Sequence, residues 1–162
     1  MRGVVLFGWI LTSVVNAGGP VQSPTEVHLG PKFFRDGDVI EITEVTSTSP
    51  QLEPGDRVNV RGRVRLDSRP AARLCLYLTQ SEGDGYEESD HLQETLATKG
   101  LNEFELAITV KHRGHLQVTL YAPQTSRPFG GVYFGTGQQM AEISHWNFSH
   151  DLDWSNDVIN SR

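Results

Sequence analysis

With a single cysteine, Cys75, the chain can form no internal disulfide, and its folded state must be held by a hydrophobic core. A basic surface is also missing: 14 Lys and Arg stand against 20 Asp and Glu, a formal net charge of −6, which disfavours nucleic acid as a partner. The longest apolar run, Val4 to Val15, is shorter than the roughly 20 residues a membrane-spanning helix requires. No Lys-Ser or Lys-Thr follows the glycines at 130, 131, 135 and 137, so they form no phosphate-binding loop. Serines, histidines and aspartates occur, but none in the Gly-x-Ser-x-Gly context of a nucleophile elbow. These absences leave no catalytic residue, no cofactor-binding residue and no metal ligand to assign.

The N-terminus carries an export signal. Met1-Arg2 is a short positive region, Val4 to Val15 an apolar stretch, and Val15-Asn16-Ala17 a run of small and medium residues suited to a signal peptidase. Cleavage after Ala17 is expected. It leaves a more acidic mature chain, without a membrane span, in the periplasm, cell envelope or extracellular space. No cysteine directly follows the cleavage point, which argues against a lipid anchor.

Residues 18–32, rich in Gly, Pro and polar side chains, read as a flexible leader. Residues 33–146 then read as one β domain, and 147–162 as a polar tail. Asp38 to Val45 is a first strand, and Pro54-Gly55-Asp56 a turn. Val58, Val60, Val64 and Leu66 alternate with Asn59, Arg61, Arg63 and Arg65, the pattern of a half-buried strand. Gly62 interrupts the apolar row, which implies a bulge or a close backbone approach. Asp67 to Ala71 reads as a turn into a central strand, Arg73 to Thr79. Leu66 is then expected opposite Leu74, Val64 opposite Leu76, Arg63 opposite Tyr77 and Arg65 opposite Cys75. A short helix is expected around His91 to Thr98. Phe104, Leu106, Ile108 and Val110 form the next apolar row, followed by Leu116, Val118 and Leu120. A three-residue turn, His112-Arg113-Gly114, pairs these rows with both apolar sets inward and gives Gly114 a left-handed backbone. Met140, Ile143 and Trp146 line a closing helical turn. Six to seven short strands with little helix suggest an all-β, antiparallel, immunoglobulin-like β-sandwich, with an open barrel as the alternative.

Three segments carry a resemblance: Gly55 to Gly62, Ala72 to Tyr77 and, most specifically, Phe129-Gly130-Gly131-Val132-Tyr133-Phe134-Gly135-Thr136-Gly137. The chain resembles small exported bacterial β-sandwich proteins of uncharacterised function over roughly Phe34 to Trp146. The resemblance implies a bacterial source and a sandwich fold, and it transfers no catalytic residue.

Several groups invite a site and are weighed against one. His112 and His115 have zinc-like spacing, but one lies at a turn tip and the other on a strand face, with no third ligand nearby. They read as solvated histidines. The acidic stretch Glu82 to Asp90 has carboxylates for calcium without the EF-hand spacing. The Arg61, Arg63 and Arg65 stripe reads as a solvent face with Glu103 and Glu105 nearby, or as a surface for an anionic glycan or a protein. Cys75 reads as a core thiol. Asp36-Gly37-Asp38 is a turn signal. Asn147-Phe148-Ser149 is a glycosylation sequon without consequence in a bacterium.

The resulting expectation is a non-catalytic exported module that binds a protein or glycan partner. Glycan binding would use exposed rings such as Tyr86, Tyr133, Trp146 or Trp154. A small hydrolase using carboxylates of the 82–90 loop is the alternative from another class.

Overall fold

In the computed structural model, which describes residues 20–35, 37–125 and 127–146, the alternating sequence forms seven antiparallel strands. They are β1 (Ser23–Pro24), β2 (His28–Phe33), β3 (Val39–Ser47), β4 (Arg57–Gln80), β5 (Glu94–Thr109), β6 (Gly114–Tyr121) and β7 (Pro128–Gly135). A 3-10 turn (His91–Gln93) and helix α1 (Gly137–Glu142) complete the described elements. The class is all-β, as expected. The strands make one continuous sheet, in the order β1-β3-β4-β6-β7-β2 with β5 beside β4, curled into a half-barrel. That curl is closer to the open-barrel alternative than to two separate sheets.

The curl originates in β4. Its even-numbered residues Val58, Val60, Val64 and Leu66, then Ala72, Leu74, Leu76 and Leu78, are buried along the whole strand. Each such valine or leucine contributes about 1.5–3 kcal/mol of burial, and Ala72 less. Between the two sets lies Asp67–Pro70, where four residues of β4 face a single residue of β5, because Leu66 pairs with Gly100 and Ala71 with Thr98. The expected turn at Asp67 to Ala71 is therefore a bend within one strand. The buried carboxylate of Asp38 accepts from the N–H groups of Asp67 (2.8 Å) and Ser68 (2.9 Å) and from the Ser68 hydroxyl. Pro70 has no N–H to satisfy and is tolerated at such a bulge. β5 bends at the same level, where Gly100 takes φ +102° and Asn102 bonds through its amide to the N–H and C=O of Thr98.

The bend changes the strand partners. β5 lies along one edge of β4, while β3 and β6 share the other, β3 before the bend and β6 after it. Leu74 thus pairs with Leu120 and Thr95 rather than Leu66, and Arg63 lies between Glu41 and Glu103 rather than opposite Tyr77. Val64 pairs with Ile40 and Asn102, and Cys75 with Glu94 and Thr119.

The β5–β6 hairpin is likewise corrected. Ile108 pairs with Val58 and Leu106 with Val60, whereas Leu116, Val118 and Leu120 pair with Leu78, Leu76 and Leu74. Both apolar rows do face the core, as expected. Gly114 is not among the glycines with positive φ. It is required for space, since a Cβ there would lie 2.1 Å from the Thr79 carbonyl oxygen. Gly62 meets its expectation in both forms: β3 has a register shift opposite it, and a Cβ would lie 2.2 Å from the Glu41 carbonyl oxygen.

Two further expectations change. The stretch read as a flexible leader supplies β1, which pairs with β3, and β2, which pairs with β7. β2 is an edge strand, so Pro31 fits at its irregularity between Leu29 and Lys32, and Val27 packs against the core. The helix expected over His91 to Thr98 is the single turn His91–Gln93, and Glu94 already begins β5. At the C-terminal side, Thr136 and Gln139 form a capping box for α1. Of the three residues expected along the closing turn, Met140 and Ile143 are buried with Tyr133, while Trp146 lies past the end of α1 and meets Tyr133 edge-on. The segment expected to be an export signal and the 147–162 stretch expected to be a tail lie outside the described residues. No helix among the described residues is long and apolar enough to cross a membrane.

Candidate functional site

Because β6 begins beside the end of β4, the β5–β6 connection meets the β4–β5 loop: Ser81 N–H donates to the Arg113 carbonyl (2.9 Å). These two segments, the loop from Pro50 to Pro54 and the helix α1 border a cleft of about 510 Å³. The loop is braced on both sides. Gly55 N–H donates to the Val110 carbonyl (2.8 Å), Asp56 accepts from Glu53 N–H (2.9 Å) and the Thr48 hydroxyl (3.0 Å), and Gln139 Nε2 donates to the Gln51 carbonyl (3.4 Å). Leu52, at φ +56°, is the only non-glycine residue with positive φ among the described residues. Such a backbone costs a branched residue on the order of 1–3 kcal/mol. The buried Leu52 side chain, part of the core, offsets that cost and fixes the wall.

His115 lines the same cleft and is only 5 % exposed. The expectation of a solvated histidine is corrected: only His112, half-exposed between β5 and β6, fits it. His115 Nε2 lies 3.3 Å from Glu142 Oε2 on α1. An ionised carboxylate can only accept, so Nε2 is the donor of this pair, and Nδ1 lies on the other side of the ring. That Nδ1 is buried without a hydrogen-bond partner. The ring also meets Trp146 edge-on, with centroids 5.3 Å apart. On the same side of the sheet, the Thr79 and Tyr133 hydroxyls bond at 3.0 Å, Gln117 donates to Thr79 (2.9 Å), and Thr119 donates to Gln117 (2.9 Å). This chain of bonds gives the β4, β6 and β7 surface behind the cleft a fixed polar order.

The cleft carries mixed charge. Glu53, Glu82 and Glu142 border it, with Arg113 as the cation. No three His, Cys, Asp or Glu side chains among the described residues converge closely enough to hold a metal ion.

The other candidates fall elsewhere. In the arginine stripe, Arg63 bonds Glu41 (2.8 Å), and Arg61 bridges Glu105 (3.1 Å) and Glu44 (3.4 Å). The Glu105 carboxylate, by hydrogen bond and charge, raises the Arg61 pKa. This is a cross-strand charge ladder on a solvent face, the plainer of the two readings. In the acidic loop, Asp84 accepts from Tyr86 N–H (3.0 Å) and Asp90 caps the 3-10 turn through Leu92 N–H (3.1 Å). Those carboxylates serve the backbone and do not converge.

Cys75 is fully buried beneath Tyr77, Tyr121 and the Arg73–Glu94 ion pair (3.0 Å). Burial, aided by Glu94, pushes its thiol up to about 11. Burial likewise pushes Tyr77 up to about 12 and raises Tyr121 further. A thiol so disposed is protonated at neutral pH and is no nucleophile. Among the ring candidates, Tyr86 is exposed, Tyr133 is 8 % exposed, and Trp146 meets Tyr133 edge-on at 79°. These rings form no flat platform, and Trp154 lies outside the described residues.

Sequence reading named His115 but missed its cleft. Glu142 and Gln139 were unassigned, and of the Pro50 to Pro54 segment only Pro54 was read, as the start of a turn. The Thr136-x-x-Gln139 capping box was the one local signal that a helix starts there. No protein-family model, no curated protein and no solved structure matches the chain.

Proposed function

We propose that this chain is a non-catalytic, exported β module whose task is to bind a small polar ligand in the cleft between the Pro50 to Pro54 loop and α1. The observation that carries this reading is the braced cleft itself, lined by His115, Arg113 and Glu142 and walled by the strained, buried Leu52. Concave sites with a few converging polar groups are where small ligands bind. What favours binding over chemistry is that the one thiol is held protonated and that Asp84 and Asp90 of the acidic loop are engaged with backbone N–H groups. Export rests on the N-terminal signal, and secreted material is expected to begin at Gly18 by mass spectrometry.

A thermal-shift screen against polar metabolites and oligosaccharides tests the reading. A ligand at a hundred times its Kd adds about 2.7 kcal/mol to stability, and Tm rises accordingly. The same ligand should leave Gln138→Trp, which fills the cleft mouth, unmoved. Ligands that stabilise both proteins equally would place binding elsewhere and refute the cleft.

A further inference from the structure

We propose that the free edge of β5, over Leu101 to Leu106, docks an extended polypeptide segment carrying two basic residues at alternate positions. This surface is separate from the cleft. Three strands end the sheet, β1, β2 and β5. Two of them are blunted in ways that keep an edge from pairing. β1 has 2 residues and ends in Pro24, and β2 carries Pro31 at its register irregularity. β5 has 16 residues and pairs with β4 alone.

The protection of β5 is local. Beside the bend, the Asn102 side chain accepts from Thr98 N–H (3.1 Å) and donates to the carbonyls of Thr98 (2.7 Å) and Gly100 (3.1 Å). At the other end, Asp90 and Leu92 border a small pocket with Ala107, Ile108 and Thr109, so the 3-10 turn stands beside them. Between these ends every second residue turns its backbone N–H and C=O away from β4. Those groups make no backbone bond to another described segment. The stretch from Leu101 to Leu106 holds no Pro, Gly or Lys to close it.

The outer face of this stretch selects the partner. Across β3, β4 and β5, the rows Glu41–Arg63–Glu103 and Glu44–Arg61–Glu105 alternate in sign. A further strand continues that alternation only with cations. Glu105 already holds Arg61, whereas Glu103 has no ion pair among the described residues, because Arg63 turns to Glu41. In the next row Arg65 lies between the exposed Val39 and Leu101, so the position beside Leu101 calls for an apolar residue. Phe104 and Leu106 are already buried, so inward positions must be small. Every strand pair of this sheet is antiparallel. An antiparallel segment with these preferences reads Lys-x-Lys-x-Val, with small residues at x. A second copy fits poorly. Centring its open stretch on this one sets Glu103 against the same residue or against Glu105.

The test is backbone NMR titration of the full chain with the capped peptide Thr-Lys-Thr-Lys-Thr-Val-Thr at physiological ionic strength, which screens diffuse surface attraction. Shifts should centre on 101–106 and reach 61–65. Thr-Lys-Lys-Thr-Thr-Val-Thr, of the same charge, should bind more weakly because one lysine leaves the outer face. N-methylating the peptide amides that face β5 should abolish binding. Glu103→Lys breaks no ion pair and should weaken the first peptide about fivefold, one cross-strand attraction having become a repulsion. Thr-Lys-Thr-Glu-Thr-Val-Thr should restore binding to that variant. Equal binding of the two lysine spacings, indifference to N-methylation, scattered shifts or no binding overturns the proposal. If the 101–106 amides move instead on concentrating the chain alone, the occupant is a second copy and the basic segment is wrong.

Discussion

Asp38 and Ser68, 30 residues apart, are joined through a buried carboxylate that accepts both the backbone N–H and the hydroxyl of Ser68. With the third bond from Asp67, this contact holds the β4 bend on which the whole curl depends. Asp38→Ala removes the acceptor of three hydrogen bonds, and a loss of about 1–3 kcal/mol is expected. Asp38→Asn keeps part of the acceptor and should cost less. Urea unfolding measures both. Equal and small losses would show that the bend is held by something else.

Gly114→Ala should destabilise the chain by about 1–3 kcal/mol, the cost of forcing a methyl group into a filled space. The clash is with the Thr79 carbonyl, where backbone cannot move aside cheaply. Because this is a steric requirement and not a left-handed backbone, Gly114→Asn should be no better tolerated than Ala. An asparagine that rescues would restore the turn first read from sequence.

The contrast at Gly114 shows what the sequence conveyed and what it did not. Alternation identified the inward residues of β4, β5 and β6 correctly, because burial depends on face alone. It could not identify partners, since Ile108 presents the same face to Val58 as it would to Val118. The Asp-Ser-Arg-Pro run resembled a turn because a bulge and a turn draw on the same residue types. What separates them is Asp38, and nothing local links it to Ser68. The cleft was invisible for the same reason: its four walls are far apart in the chain.

Cys75 gives a prediction at alkaline pH. A thiol raised from 9.0 to about 11 by the fold stabilises the folded chain below pH 9, and that contribution is lost as pH rises toward 11. Stability should therefore fall between pH 9 and 11 more steeply in the wild type than in Cys75→Ala. Tyr77 adds a later decline toward pH 12 in both proteins. At neutral pH, iodoacetamide should label native Cys75 only as fast as the chain opens. Rapid labelling would contradict its burial.

The cleft exists only if β6 lies against β4, which brings Arg113 to Ser81 and His115 opposite Thr79. Interstrand backbone NOEs from Ile108 and Val118 test that arrangement most directly. Ile108 should show them to Val58, and Val118 to Leu76 and Val132. Backbone NOEs between Ile108 and Val118 would restore a β5–β6 hairpin, and the cleft with every function assigned to it would have to be given up.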